Sequence, residues 1–122
     1  MAMNCLDTYA LMELFEGNPK FMPLFNSPFV ITNWTLAEFY KTLLREYGKP
    51  LAIQWVRRIQ RHALDVDTEV LIKAVDLHFD HRKEDLSLFD AVGYLYALES
   101  GFPFVTGDKW FHGRKGVHFM QK

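Results

Sequence analysis

The sequence predicts an α/β fold, a single-domain three-layer α/β/α sandwich on a mostly parallel central sheet. Short β-branched and aromatic runs alternate with amphipathic helical patterns along the whole chain, the signature of β–α–β units. The chain has 122 residues, 49% of them hydrophobic and 24% charged. That is enough for one domain, residues 1–122, and too little for two.

The elements follow in order. Met3 to Leu6 reads as a short strand, and a helix covers Thr8 to Glu16 until Gly17-Asn18-Pro19 breaks it. A short helix spans Lys20 to Phe25 and stops at Ser27-Pro28. Phe29-Val30-Ile31-Thr32 is the clearest strand of the first half. Leu36, Phe39, Tyr40, Leu43, Leu44 and Tyr47 recur at helical spacing, and Gly48 and Pro50 end that helix. Ala52, Trp55, Val56, Ile59 and Ala63 mark the next helix, with Arg57, Arg58 and Arg61 off its apolar stripe. A brief strand follows at Ala63 to Val66. Asp67-Thr68-Glu69 opens a helix with Val70, Leu71, Ala74 and Val75 on its core face. Ser87 opens the most apolar helix, which Gly101 closes. Phe104-Val105-Thr106 is a strand, Asp108 to Phe111 a helical turn, and Val117-His118-Phe119 the last strand.

Composition excludes several classes of function. One cysteine, Cys5, rules out a disulfide framework or a cysteine-based zinc site and suits a reducing compartment. No apolar run is long enough to span a membrane. The N-terminal residues have no basic stretch followed by an apolar one, so a cytoplasmic location is expected. Net charge is −1, which argues against a uniformly basic nucleic-acid binder. The charge is nevertheless segregated: residues 41–61 sum to +5 and residues 62–100 to −6. A basic and an acidic region side by side suit an anionic ligand that meets bound cations. Two solvated helix faces would give the same sums.

Four acids occupy equivalent places. Asp7 follows the first strand, and Asp108 follows Phe104–Thr106 after Gly107. Glu38 and Asp90 lie in the first turns of the helices after Phe29–Thr32 and Ser87. On a parallel sheet these positions converge at the carboxyl edge, where such folds bind ligands. Converging carboxylates suit Mg²⁺ or Mn²⁺ and phosphoryl chemistry. Each acid is also placed to cap a helix or favour its dipole. Thr35-Leu36-Ala37-Glu38 reads as a capping box, and Ser87-Leu88-Phe89-Asp90 resembles one. Asp90 is the hardest to reduce to a cap. Its helix is apolar nearly all round, and a buried carboxylate is costly unless paired or metal-bound. Glu38 lies opposite its helix's apolar stripe, so burial gives no argument for it.

Cys5-Leu6-Asp7-Thr8-Tyr9-Ala10-Leu11, Thr35 to Phe39, Leu86 to Ala91 and Phe104 to Phe111 resemble, in order and spacing, the PIN-domain nucleases. The size is similar to that of VapC-type toxins of toxin–antitoxin pairs. The resemblance implies a parallel sheet flanked by helices and metal-dependent endoribonuclease activity leaving 5′-phosphates. It implies that Asp7, Glu38, Asp90 and Asp108 are catalytic and hold Mg²⁺ or Mn²⁺, with Thr106 as the supporting hydroxyl. It also implies an antitoxin partner and a homodimer. Asn4 and Cys5 dilute the first strand, and Gly107 stands where many members carry a polar residue.

Other features admit two readings. Arg57, Arg58 and Arg61, with Lys41 and Arg45, can grip an RNA backbone at the rim of the acidic site or simply be solvated. Trp55 reads as core, while Trp110, next to Asp108, is the better candidate for substrate or partner contact. His78 and His81 stand at i,i+3 without an obvious third ligand, as at a solvated helix end. The alternatives to a toxin nuclease are a non-toxin RNA-processing PIN nuclease, a receiver-like module or an RNA-binding α/β module. A receiver needs an adjacent acidic pair after its first strand, whereas Thr8 and Tyr9 follow Asp7.

Overall fold

The computed structural model describes residues 3–122. The reading of the leader rests partly on Met1 and Ala2, which lie outside them. Five strands, β1 (Asn4–Leu6), β2 (Phe29–Thr32), β3 (Ala63–Leu64), β4 (Phe104–Thr106) and β5 (Val117–Phe119), form one sheet in the order β3-β2-β1-β4-β5. Every pairing is parallel. The helices are α1 (Thr8–Phe15), α2 (Asn33–Tyr47), α3 (Lys49–Ile59), α4 (Thr68–Asp80) and α5 (Leu88–Ser100). Residues Met22–Asn26 form a 3₁₀ segment where the sequence suggests a short helix.

Alternation along the strands separates the layers. Leu6, Ile31 and Val105 face the core built by α1, α2 and α3. Their neighbours Cys5 and Phe104 face the core under α4 and α5, and Val30 packs against it. The sheet is therefore covered on both sides, as parallel sheets require. Among the described residues no helix is long and apolar enough to cross a membrane.

Two local expectations are corrected. Helix α2 begins at Asn33, because Thr32 at the end of β2 caps it by accepting a hydrogen bond from Thr35 N at 3.0 Å. The Thr35–Glu38 capping box is therefore not used, and Glu38 lies in the second turn. Val75 is 49% exposed rather than core; α4 buries only the Val70–Ala74 line against α5.

The order of strands positions the site. From β1 the chain steps to β2 and β3, then crosses to the other side of β1 for β4. The topological switch point therefore falls between β1 and β4, where a crevice opens at the carboxyl edge. Asp7 follows β1 and Asp108 follows β4 on either side of it.

Candidate active site

At that edge a cleft of about 410 Å³ is lined by Asp7, Glu38, Asp90 and Asp108, together with Thr8, Tyr9, Thr42 and Asp85. The four acids named from sequence thus share one cleft, and no basic residue lines it. Tyr9, Thr42 and Asp85 were not anticipated. Thr42 lies one helical turn beyond Glu38, so α2 periodicity points to it. Asp85 sits in the loop between α4 and α5, which carries no periodic signal.

Asp7 is the most constrained of the four, with 3% of its surface exposed. Its Oδ1 accepts from Ala10 N at 3.1 Å and so caps α1, while Oδ2 accepts from the Thr106 hydroxyl at 2.5 Å. Thr106 Oγ1 in turn accepts from Asp108 N at 3.1 Å. One buried hydroxyl therefore fixes two of the acids relative to each other. Asp108 turns its own Oδ1 onto Trp110 N at 3.0 Å, starting the 3₁₀ turn Lys109–Phe111. Capping and site roles coexist here, because each carboxylate keeps acceptor positions beyond those its cap uses.

Asp90 is set by α5. The Ser87 hydroxyl accepts from Asp90 N at 3.1 Å, which places the carboxylate in the first turn. Gly93, one turn on, brings the helix close: a Cβ there would lie 3.1 Å from the Phe104 ring and 3.5 Å from Thr35 Oγ1. Small residues on this stripe let α5 press against β4 and α2 and aim Asp90 inward. Glu38 accepts a hydrogen bond from the Thr8 hydroxyl across the cleft. This cross-element contact turns Glu38 toward the other acids although it lies off its helix's apolar stripe.

The electrostatics follow from burial and crowding. Burial pushes the Asp7 carboxyl up from 3.8 to about 7; Thr106 and Ala10 offset part of this, and Glu38 and Asp108 add to it. Burial, then repulsion from Asp7, Glu38 and Asp108, lifts Asp90 to about 8, with a small opposing effect from Ser87. Behind them the buried Cys5 thiol is held near 12 and stays protonated, chiefly by burial and then by Asp7. The cleft therefore crowds carboxylates together, and among the described residues no basic side chain lines it to offset their charge.

The donor set is all oxygen and mostly carboxylate, which fits Mg²⁺ or Mn²⁺. Among the described residues no three acidic, histidine or cysteine side chains make a finished shell around one point. A Mg²⁺ ion does not need one, since it binds through one or two carboxylates and keeps several waters.

Two other expectations meet the structure differently. Trp110 does not line the cleft. Its Nε1 donates to Glu84 at 2.9 Å, and the Arg114 guanidinium lies 3.4 Å from its ring centroid. Of the basic segment, Arg58 and Arg61 do not line the acidic site either. Arg58 and Arg61 lie beside Phe29, the first residue of β2, at the amino edge of the sheet. The α2–α3 reversal at Gly48 carries them there. His81 bonds Glu84 at 2.6 Å beyond the end of α4, a helix-end contact.

Comparison with known proteins agrees with this architecture. No curated protein matches the chain significantly in sequence. Among solved structures, VapC20 of Mycobacterium tuberculosis, a sarcin-ricin loop cleaving toxin, superposes with a TM-score of 0.77 at 18% identity, covering 95% of this chain and 98% of that one. DNA-bound VapBC from Salmonella typhimurium gives 0.76 at 20% identity, covering 98% of both chains. A toxin–antitoxin complex from Klebsiella pneumoniae gives 0.72 at 20% identity, covering 94% of this chain and 95% of that one. At these identities the likeness is one of fold. The family model of the PIN domain matches residues 5–116, and the chain belongs to the PIN-domain family.

Proposed function

We propose that the protein is a metal-dependent endoribonuclease, the toxin of a toxin–antitoxin pair, that hydrolyses RNA phosphodiester bonds. The observation that carries the reading is the convergence of Asp7, Glu38, Asp90 and Asp108 on one cleft with no basic residue in its lining. Such a cleft repels a phosphodiester unless cations intervene, and family membership supplies the reaction class. Asp7, Glu38, Asp90 and Asp108 are the residues that would hold Mg²⁺ or Mn²⁺. A divalent ion held there supplies positive charge for the phosphoryl oxygens and lowers the pKa of water.

The chain's own groups do the rest. Thr106 holds the Asp7 carboxylate and the Asp108 backbone in one register. Thr8 holds Glu38 turned into the cleft. Fixed positions mean that little reorganisation is needed when substrate arrives. The VapBC and toxin–antitoxin complexes among the structural neighbours support an antitoxin partner, and the family resemblance supports a homodimer. Incubating the protein with structured RNAs in Mg²⁺, Mn²⁺ and EDTA, and mapping the product ends, tests the reading. Cleavage with 5′-phosphate ends in either metal and none in EDTA is expected. Cleavage that persists in EDTA, or none with any RNA and metal, would reject it.

A further inference from the structure

A second cavity, of about 540 Å³, opens at the amino edge of the sheet, between the segment before β2 and the end of α3. Parallel sheets place their usual ligand site at the other edge, so this cavity is not part of the acidic cleft. Its lining includes Arg58, Arg61 and His62 with Phe25, Phe29 and Trp55, and no carboxylate. Among the described residues neither arginine is ion-paired.

Internal contacts link the side chains of this lining. The Arg58 guanidinium lies 5.0 Å from the Trp55 ring centroid, a cation–π distance. Arg61 Nε donates to His62 Nε2 at 3.3 Å, and His62 Nδ1 lies 3.2 Å from the Phe29 carbonyl oxygen. Both ring nitrogens of His62 are therefore engaged by the protein. The ring stacks on Phe29 at 4.0 Å, with 17° between the planes. Two unneutralised guanidiniums stand beside a wall of partly exposed rings.

Each half of the lining selects a chemistry. Guanidinium forks select phosphate over a simple point charge. Aromatic rings select a flat π-face and tolerate any base. An apolar ligand would leave both arginines unanswered, and an acidic peptide would leave the rings unused. The cavity also lies in the size range of small-ligand sites.

We propose that this cleft binds a nucleotide, its phosphate on Arg58 and Arg61 and its base against Phe25, Trp55 and His62. The nucleotide is either free or one residue of a single RNA strand; the second source rests on the ribonuclease reading.

The test is binding without metal. A fluorescein-labelled octauridylate is titrated into the full chain in EDTA at low salt, and fluorescence anisotropy is read. Wild type, Arg58→Ala/Arg61→Ala, Arg58→Lys/Arg61→Lys and Trp55→Leu are compared, each first shown to melt cooperatively. The double alanine variant should lose at least about tenfold in affinity, with the salt slope reduced by about one phosphate contact. The lysine pair should keep part of the binding, and Trp55→Leu should weaken it while leaving the slope intact. Competition by excess adenosine monophosphate identifies a free-nucleotide site. Arginine-dependent binding without that competition identifies a strand site. Equal affinity of wild type and the double alanine variant overturns the proposal, as does arginine-dependent binding of a labelled Glu-rich peptide in place of the oligonucleotide. Because nothing is cleaved in this experiment, its result is independent of whether the acidic cleft proves to be a nuclease site.

Discussion

Replacing Asp7 by Asn tests whether the cleft stores unbalanced negative charge. Asn keeps the shape of the side chain and the cap on Ala10 N. It also keeps a hydrogen bond with Thr106, whose hydroxyl can accept as well as donate. Only the charge is lost. The wild-type carboxyl is raised from 3.8 to about 7, so the native state holds this proton more tightly than the unfolded chain does. The resulting stability is fully present below about pH 4 and is lost as pH rises through about 7. About three pKa units at about 1.4 kcal/mol each amount to about 4 kcal/mol. Water entry and relaxation of the cleft reduce this, so we expect about 2–4 kcal/mol in practice. In EDTA, Asp7→Asn should match wild type near pH 4 and exceed it by that amount near pH 8, read by urea denaturation. Saturating Mg²⁺ should stabilise wild type near pH 8 by mass action and the variant much less. A variant no more stable than wild type near pH 8, with the same response to Mg²⁺, would refute the reasoning and leave Asp7 as a helix cap.

Two further substitutions probe the frame around the acids. A Cβ on Gly107 would fall 2.3 Å from the Tyr9 ring and 2.4 Å from the Met120 carbonyl oxygen. Gly107→Ala should therefore cost about 1–3 kcal/mol in thermal or urea unfolding and lower cleavage by displacing Asp108; wild-type stability would show that the loop yields freely. Thr106→Val keeps the volume but removes the donor to Asp7 and the acceptor for Asp108 N. It should cost about 1–3 kcal/mol and move the Asp7 titration upward in metal-free protein, as followed by carboxyl-carbon NMR, and an unmoved titration would deny Thr106 its positioning role.

The strands were legible because their chemistry is local. Phe29–Thr32, Phe104–Thr106 and Val117–Phe119 are β-branched or aromatic runs bounded by Ser-Pro, Phe-Pro and Gly signals, and the structure places strands there. The start of α2 was misread because Thr35 and Glu38 stand at capping-box spacing, while the cap comes from Thr32, still part of the strand. Local spacing cannot distinguish the two. Val75 shares an apolar stripe with Val70 and Ala74, but whether the edge of a stripe is covered depends on the neighbouring helix, which sequence does not place. Asp7, Asp90 and Asp108 could be named because each follows a strand or opens a helix, whereas Glu38, in the second turn of α2, rests on the family resemblance. Tyr9's place in the cleft depends on its packing over Gly107, and Asp85's on a loop, so neither left a pattern. The charge sum over residues 41–61 was sound, yet it says nothing of direction. The reversal at Gly48 sends Arg58 and Arg61 to the far edge of the sheet.

The central claim is that the four carboxylates form a metal-dependent nuclease site. Asp90 tests it best, because Ser87 supplies the cap of α5 and the Asp90 side chain is not needed for it. The measurement is the Mg²⁺-dependent cleavage rate of a structured RNA by wild type and by Asp90→Asn, both shown to be folded. The account predicts that wild type cleaves, that EDTA abolishes the reaction, and that Asp90→Asn is slower by about a hundredfold to a thousandfold, the scale of losing an essential electrostatic group. Wild-type-like cleavage by Asp90→Asn would contradict it.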